Sequence, residues 1–319
     1  MKKIIALIMV ALLLVGMTAC TPAADDGKIV IGICQIAPHD ALDAATKGFK
    51  DAVIAAFGAD KVEFIEQNAA GDSNTLNSII NDFVAREVDL ILANATPVLQ
   101  TAANATTTIP ILGTSVTEYG VALGIEGFNG TVGGNISGTS DLAPLDKQAD
   151  MITEWFPNVK TVGLIYCAAE PNSKYQVDEM KKYLEAKNLT VELYAFSSSS
   201  DLSAVVEKAA AESDVLYAPT DNTLADNADV VNTICSAQNI PVIAGEESIC
   251  AKCGVATLSI SYEELGRITG EMAVKVLKGE DKIGEMPIQY ASAPVAKYNE
   301  EICKALDITP PDGYVAIGK

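Results

Sequence analysis

The stretch Asp89-Leu90-Ile91-Leu92-Ala93-Asn94-Ala95-Thr96-Pro97 constrains this chain more than any other. Its short apolar run reads as a buried strand, and Asn94 to Thr96 turn it outward. Thr96 is placed to cap a helix whose first residue is Pro97, a position where a missing N–H costs nothing. A strand running straight into a helix N-terminus presents unpaired N–H groups and partial positive charge, which suits a small anion such as a carboxylate. The design returns at Asp214-Val215-Leu216-Tyr217-Ala218-Pro219-Thr220-Asp221-Asn222, where apolar residues again give way to capping chemistry at Thr220 and Asp221. Two further echoes flank it: Val30-Ile31-Gly32-Ile33 matches Thr161-Val162-Gly163-Leu164, and Ile109-Pro110-Ile111-Leu112 matches Ile240-Pro241-Val242-Ile243. Any α/β protein has such strands. Three of them in one order and at similar spacing argue for two similar lobes, each aiming strand-end loops at a shared space.

The rest of the chain alternates in the same way. A strand at Lys28–Cys34 leads to a helix at Asp40–Phe57, then a strand at Val62–Glu66, a turn at Asn68–Asp72 and a helix at Asn74–Arg86. After the strand Ile109–Thr114, glycine is frequent from Gly113 to Gly138, as suits a chain crossing between lobes. The second half reads as helix Leu145–Phe156, strand Thr161–Tyr166, helix Asn172–Lys187, strand Val191–Phe196, a helix from Asp201, then strand Val215–Ala218. Helix Asp221–Gln238, strands at Pro241–Ala244 and Val255–Ser259, helix Ser261–Lys278 and a strand–helix tail follow. Trp155 falls on the apolar side of its helix and reads as core. Strands alternating with helices imply parallel sheets covered on both faces, with ligands bound at the strands' carboxyl ends.

With 319 residues the chain can hold two domains of ordinary size. A net charge of −20 sets it against nucleic acid and anionic membrane surfaces. At the N-terminus, Lys2 and Lys3 precede the apolar run Ile4–Val15, and Gly16-Met17-Thr18-Ala19-Cys20 resembles a bacterial lipobox. Residues 1–19 are therefore expected to be a lipoprotein signal peptide, Cys20 the lipidated residue and 20–27 a tether. The mature protein would then work outside the cytoplasmic membrane, touching it only through the lipid. Cys34, Cys167, Cys235, Cys250, Cys253 and Cys303 remain. The Cys250–Cys253 spacing suits zinc or redox chemistry, but there is no second close pair and His39 is the lone histidine; a local disulfide or two unpaired thiols fit better. No phosphate-binding loop or Gly-x-Ser-x-Gly elbow is present, no cofactor is implied, and an enzyme is not expected.

Several segments carry a resemblance that spans residues 30 to 290. Ile36-Ala-Pro-His39-Asp-Ala-Leu42-Asp43, Asn68-Ala-Ala-Gly71-Asp72 and Ala95-Thr96-Pro97 are matched in the second half by Glu170-Pro-Asn172-Ser173, Asp221-Asn222 and Ser261-Tyr262-Glu-Glu-Leu265-Gly266. In that order they resemble substrate-binding lipoproteins of ABC transporters with the type I periplasmic binding-protein fold, in particular the tryptophan- and tyrosine-binding family. Where that family often carries Val-Thr-Asp-Pro, this chain has Val116-Thr117-Glu118-Tyr119. The resemblance implies two doubly wound parallel-sheet lobes joined by a hinge, one formed by 28–138 plus 259–283 and the other by 139–258 plus 284–319. It implies a monomer that closes on an aromatic L-amino acid (Tyr, Trp or Phe) and passes it to an ABC permease and its ATPase. Nucleosides or sugars are alternative ligands for the same fold, and ligand sensing or adhesion at the cell surface is an alternative role.

An amino acid needs donors for its carboxylate, an acid for its ammonium and an apolar wall. Thr96, with Asn94 and Pro97 beside it, is the first choice for the carboxylate, and it can also be an ordinary N-cap. Asp221 is the choice for the ammonium, with Glu170 second; both stand near helix starts, where a purely structural acid is equally at home. Asn172, Ser173, Thr220 and Asn222 are short polar residues at the same level. Asn68, Gly71 and Asp72 form a turn that either faces the cleft or serves only its own backbone. His39 can offer a neutral donor, Ile36 an apolar wall, Thr117 a hydroxyl, and Tyr119 either a ring to stack on the ligand or a loop aromatic.

Overall fold

In a computed structural model that describes residues 27–318, the alternation divides into two lobes. The first holds β1 (Ile29–Gln35), α1 (Asp40–Phe57), β2 (Val62–Asn68), α2 (Ser73–Ala85), β3 (Leu90–Asn94), α3 (Thr96–Ala105), β4 (Ile111–Val116), α4 (Tyr119–Leu123) and β5 (Ile136–Ser140). The second holds α5 (Leu145–Trp155), β6 (Thr161–Cys167), α6 (Pro171–Ala186), β7 (Thr190–Phe196), α7 (Ser199–Glu212), β8 (Val215–Ala218), α8 (Asn222–Asp226), α9 (Ala228–Gln238), β9 (Val242–Ala244), α10 (Glu247–Cys253) and β10 (Ala256–Ser259). The chain returns to the first lobe for α11 (Tyr262–Leu277) and β11 (Gln289–Tyr290), and ends in the second with β12 (Val295–Tyr298), α12 (Glu300–Ala305) and β13 (Val315–Ala316).

The sheets run β2-β1-β3-β4-β5-β11 and β7-β6-β8-β9-β10-β12-β13, so their first five strands share one doubly wound order. All pairings are parallel except β10 with β12. The sequence echoes fall on matching strands: β1 with β6, β3 with β8, β4 with β9. Asp89 and Asp214, which open the two longest echoes, play one role in both lobes. Asp89 Oδ2 accepts from Val30 N at 2.7 Å, and Asp214 Oδ2 from Lys160 N and Thr161 N at 2.9 Å each. Those N–H groups hold the Asp214 carboxyl below its usual range.

The return segment is fastened by close helix packing. A Cβ added to Gly266 would stand 1.9 Å from Ala45 O, and one added to Gly48 would stand 2.0 Å from Glu263 O. The backbones of α1 and α11 therefore touch, with Phe49, Met272 and Ala273 sealing the lower contact.

Several expectations shift. The helix read over Asp221–Gln238 is two helices broken at Asn227. The Gly-rich crossing contains β5, whose Ile-Ser-Gly-Thr-Ser lacks an apolar run but is buried throughout. It is polar and buried because its hydroxyls are bonded: Ser137 to Met286 O at 2.9 Å, Ser140 to Thr117 O at 2.8 Å, and Thr139 shares a 2.8 Å bond with Thr269. Since β11 pairs with β5 (Gln289 with Thr139, Tyr290 with Ser140), the first sheet extends past the lobe limits expected at 138 and 283. Crossings between the sheets fall near 141–144, 260–261 and 291–294. Cys250 and Cys253 sit on α10, a helix not anticipated, and all six described cysteines are buried free thiols. The signal peptide and Cys20 lie outside the described residues. Among those described, no helix is long and apolar enough to cross a membrane.

Gly266→Ala is expected to lower the unfolding free energy by about 2 kcal/mol, because the new methyl must push α11 off α1. Urea denaturation read by circular dichroism checks it; an unchanged midpoint would rule out the backbone contact as a constraint.

Candidate ligand-binding cleft

Parallel strands of one hand put all carboxyl ends on one edge of each sheet, and here the two edges face each other. From the first lobe come Ile36 to His39, Asn68 to Asp72, Ala95 to Pro97, Ser115 to Thr117 and Asp141. The second contributes Ala168 to Ser173, Ser197 to Ser199, Pro219 to Asn222 and Gly245 to Glu247. A cavity of about 420 Å³ between them is walled by Ile36, Gly71, Leu76, Pro97, Glu170 and Asn222, among others. The lobes touch across it, with His39 Nε2 3.4 Å from Asn222 Oδ1.

Thr96 is buried and is the first residue of α3, so Ala95, not Thr96, is the N-cap. The capping expectation fails because the chain turns one residue early. Ala95 takes φ +99° and ψ 156°, a region that L residues rarely occupy and that costs about 1–3 kcal/mol. The turn frees the Thr96 hydroxyl, which has no hydrogen-bond partner among the described residues. On the neighbouring strand Ser115 is also at positive φ, +53°, in the bulge between Gly113 and Val116, and its hydroxyl is equally unpartnered. Ala95 N donates to Thr114 O at 3.0 Å, so the two strained strand ends lie side by side.

The two acids chosen for an ammonium are otherwise engaged. Asp221 caps α8: Oδ1 accepts from Leu224 N at 2.8 Å and Oδ2 from Cys167 N at 2.7 Å. Burial, then the neighbouring Glu170, raises its carboxyl above the usual range. Glu170 accepts from Asn222 N, Asn222 Nδ2 and Asn172 Nδ2 at Oε2, and from Thr223 N and Oγ1 at Oε1. Five donors converge on it because it faces the exposed N–H groups of α8. Both acids thus fill the structural role that the sequence left open.

Tyr119 is also corrected. It is 1% exposed, with its hydroxyl donating to Thr139 O at 3.0 Å, in a slot opened by Gly113 and Gly138. A ring in that slot cannot stack on a ligand. Asn68 and Asp72 serve the turn and the α2 cap, accepting from Ala70 N and Thr75 N at 2.8 and 2.7 Å. Asn94 ties β3 to α1 through Leu42 O and Thr46 Oγ1. Thr220 O accepts from Asn172 Nδ2 and Gln176 Nε2. Asn172 retains an unpartnered buried Oδ1 beside the fully buried Ser173, and His39 an unpartnered Nδ1.

Asp141 is the residue that sequence reading missed. It follows β5, is 2% exposed, and its Oδ2 accepts from Tyr262 Oη at 2.9 Å while Oδ1 has no partner among the described residues. Burial pushes its carboxyl up to about 6, opposed by the hydrogen bond from Tyr262 and the nearby Thr117 hydroxyl and assisted by the charge of Glu246. The one available signal, an Asp just ahead of Pro144, was masked by the glycine-rich stretch before it.

The sequence matches the family of ABC transporter substrate binding proteins over residues 30–317. The chain belongs to that family. A tyrosine-binding protein of Clostridioides difficile (strain R20291) is 36% identical, over 96% of this chain and 93% of that one. The ABC domain of Streptococcus pneumonia in complex with L-Trp superposes with a TM-score of 0.86 at 31% identity, covering 91% of this chain and all of that one. The ligand-free, open structure of a substrate binding protein with adhesive properties from Clostridium difficile reaches only 0.69, although it is 36% identical over 91% of this chain and 99% of that one. The lobe arrangement therefore follows the ligand-bound relative. These relatives are solute-binding proteins, not enzymes, and the two lobes form a type I periplasmic binding-protein fold.

Folded Asp141 keeps its proton to about pH 6, above an unfolded Asp, so it contributes stability that is present at low pH and lost as pH rises through that value. Between pH 4 and 7 the unfolding free energy of the ligand-free wild type should fall relative to Asp141→Asn by about 2 kcal/mol. Urea titrations of both at four pH values check the sign; parallel profiles would disprove it.

Proposed function

We propose that this protein is an extracytoplasmic, lipid-anchored receptor that captures an aromatic L-amino acid between its lobes and hands it to an ABC permease and its ATPase. The observation that carries the reading is the closed cleft. Thr96, Ser115, Asp141 and Asn172, each following a strand or in its terminal bulge, carry buried polar atoms without partners among the described residues, in a lobe arrangement shared with a relative holding L-Trp. Buried polar groups without partners are costly, so a closed cleft with several of them suits a polar ligand head. Thr96 would face the carboxylate at the α3 N-terminus, where helix polarity favours an anion. Ile36, Leu76 and Pro97 would supply apolar wall for the side chain. The 36% identity to a tyrosine-binding protein supports an aromatic ligand.

The anchor reading rests on the lipobox ending at Cys20, from which a short polar tether would lead to the first strand. Outside the membrane, a protein delivering to a permease works as a monomer that closes on one ligand and opens to release it.

The test is a thermal-shift screen of residues 21 onward, unfolded and refolded to strip bound ligand, against amino acids, nucleosides and sugars. L-Tyr, L-Trp or L-Phe at a thousand times its Kd should add about 4 kcal/mol of stability. Thr96→Val should cut affinity for that ligand about tenfold with the apo melting temperature unchanged. A shift with nucleosides or sugars alone would refute the ligand class.

A further inference from the structure

Resting on the amino-acid reading above, we propose that Asp141 is the residue that receives the ligand's ammonium, and that Tyr262 positions it. A zwitterionic amino acid brings one cation into a buried cleft, and that cation needs a carboxylate oxygen with no other duty. Four buried acids stand among the described residues: Asp141, Glu170, Asp221 and Glu246. Three of them cap helices. Glu170 and Asp221 are saturated at the start of α8, and Glu246 accepts from Ser248 N, Ser248 Oγ and Ile249 N at the start of α10. Asp141 alone of the four has an oxygen without a partner.

Its place fits the rest of the head group. Asp141 N donates to Val116 O at 3.2 Å, and Ala95 N donates to Thr114 O, so the ends of β3, β4 and β5 lie in a row carrying Thr96, Ser115 and Asp141. Two strand spacings separate the outer members by about 10 Å. An amino-acid head with a hydrogen bond at each end spans up to about 9 Å, from carboxylate donor to ammonium acceptor. Ser115 lies between, its hydroxyl unused.

Among the described residues, no cation acts strongly on Asp141. The groups acting on it most are Tyr262, Thr117 and Glu246, and none is a cation. The Tyr262 hydroxyl holds one oxygen, and the other has no partner among the described residues. Tyr262 itself is buried beside Asp141, Glu246 and, from the second lobe, Thr220. It follows the crossing at 260–261, while Asp141 opens the crossing at 141–144. An ammonium seated on Asp141 would therefore bear on two of the three strands of the hinge.

Calorimetric titration decides it, with wild type, Asp141→Asn and Tyr262→Phe each tested against L-Phe, L-Tyr and L-Trp and against 3-phenylpropionate, which lacks the amino group. Asp141→Asn should lose about thirtyfold or more for the amino acids but stay within about threefold for 3-phenylpropionate. Tyr262→Phe should lose less, in the same selective sense. Wild-type affinity for L-Phe should rise about tenfold from pH 5 to 7 as Asp141 ionises, which serves as a readout should a variant fail to fold. Equal losses for both ligand kinds, undiminished amino-acid binding by Asp141→Asn, or a flat wild-type pH profile would each overturn the assignment. Wild type that binds no aromatic amino acid would overturn the functional reading along with it.

Discussion

The structure depends on one constraint: parallel strands wound in a single sense must deliver all their carboxyl ends to one edge. Each lobe obeys it with the same five-strand order, and each therefore presents a row of turns and helix N-termini. Two such edges placed face to face make a cleft lined by backbone N–H groups from both sides. Acids are drawn into it from the protein itself. Asp221, Glu170 and Glu246 answer the second lobe's helix starts, and their burial is tolerable because every oxygen receives donors. In the first lobe the Thr96 and Ser115 hydroxyls have no partner among the described residues.

That asymmetry divides the work between the lobes. In the second, the acids are satisfied by helix-start donors, with Asn172 and Asn222 bonded to Thr220 O and Glu170, while Asn172 Oδ1 has no partner among the described residues. The first carries the strain: Ala95 and Ser115 both sit at positive φ on adjacent strands, held by the bond from Ala95 N to Thr114 O. Strained residues persist only where surrounding packing dictates their geometry. Here β3 and β4 are wholly buried, so the sheet holds the turns in place. The resulting geometry takes Thr96 out of the capping role and leaves its hydroxyl without a partner among the described residues.

Closure adds the last element. Conformational change of this kind is a shift between two packings, and a ligand moves the balance only by contacts it makes better in one of them. Buried groups without partners among the described residues are of the kind that a ligand's polar head would satisfy. The hinge segments run beside them, with Asp141 and Tyr262 bonded where two crossings begin and end.

The sequence alone determined the two-lobe alternation, because buried parallel strands must be apolar runs and helix starts need capping residues. The echoes at Val30, Asp89 and Ile109 with Thr161, Asp214 and Ile240 marked equivalent strands, and α1 was legible to its ends in its apolar stripe. Motif order carried the family. β5 was not legible, since Ile-Ser-Gly-Thr-Ser is made a buried strand by hydroxyl partners from distant segments. Nor were the roles of the acids, because a carboxylate at a helix start looks the same in sequence whether its oxygens are filled or free. Whether the second oxygen of Asp221 is filled, whether Tyr119 is core and how Asp141 is held depend on partners brought from 20 to more than 100 residues away. Only the tertiary structure decides which acid meets which donor.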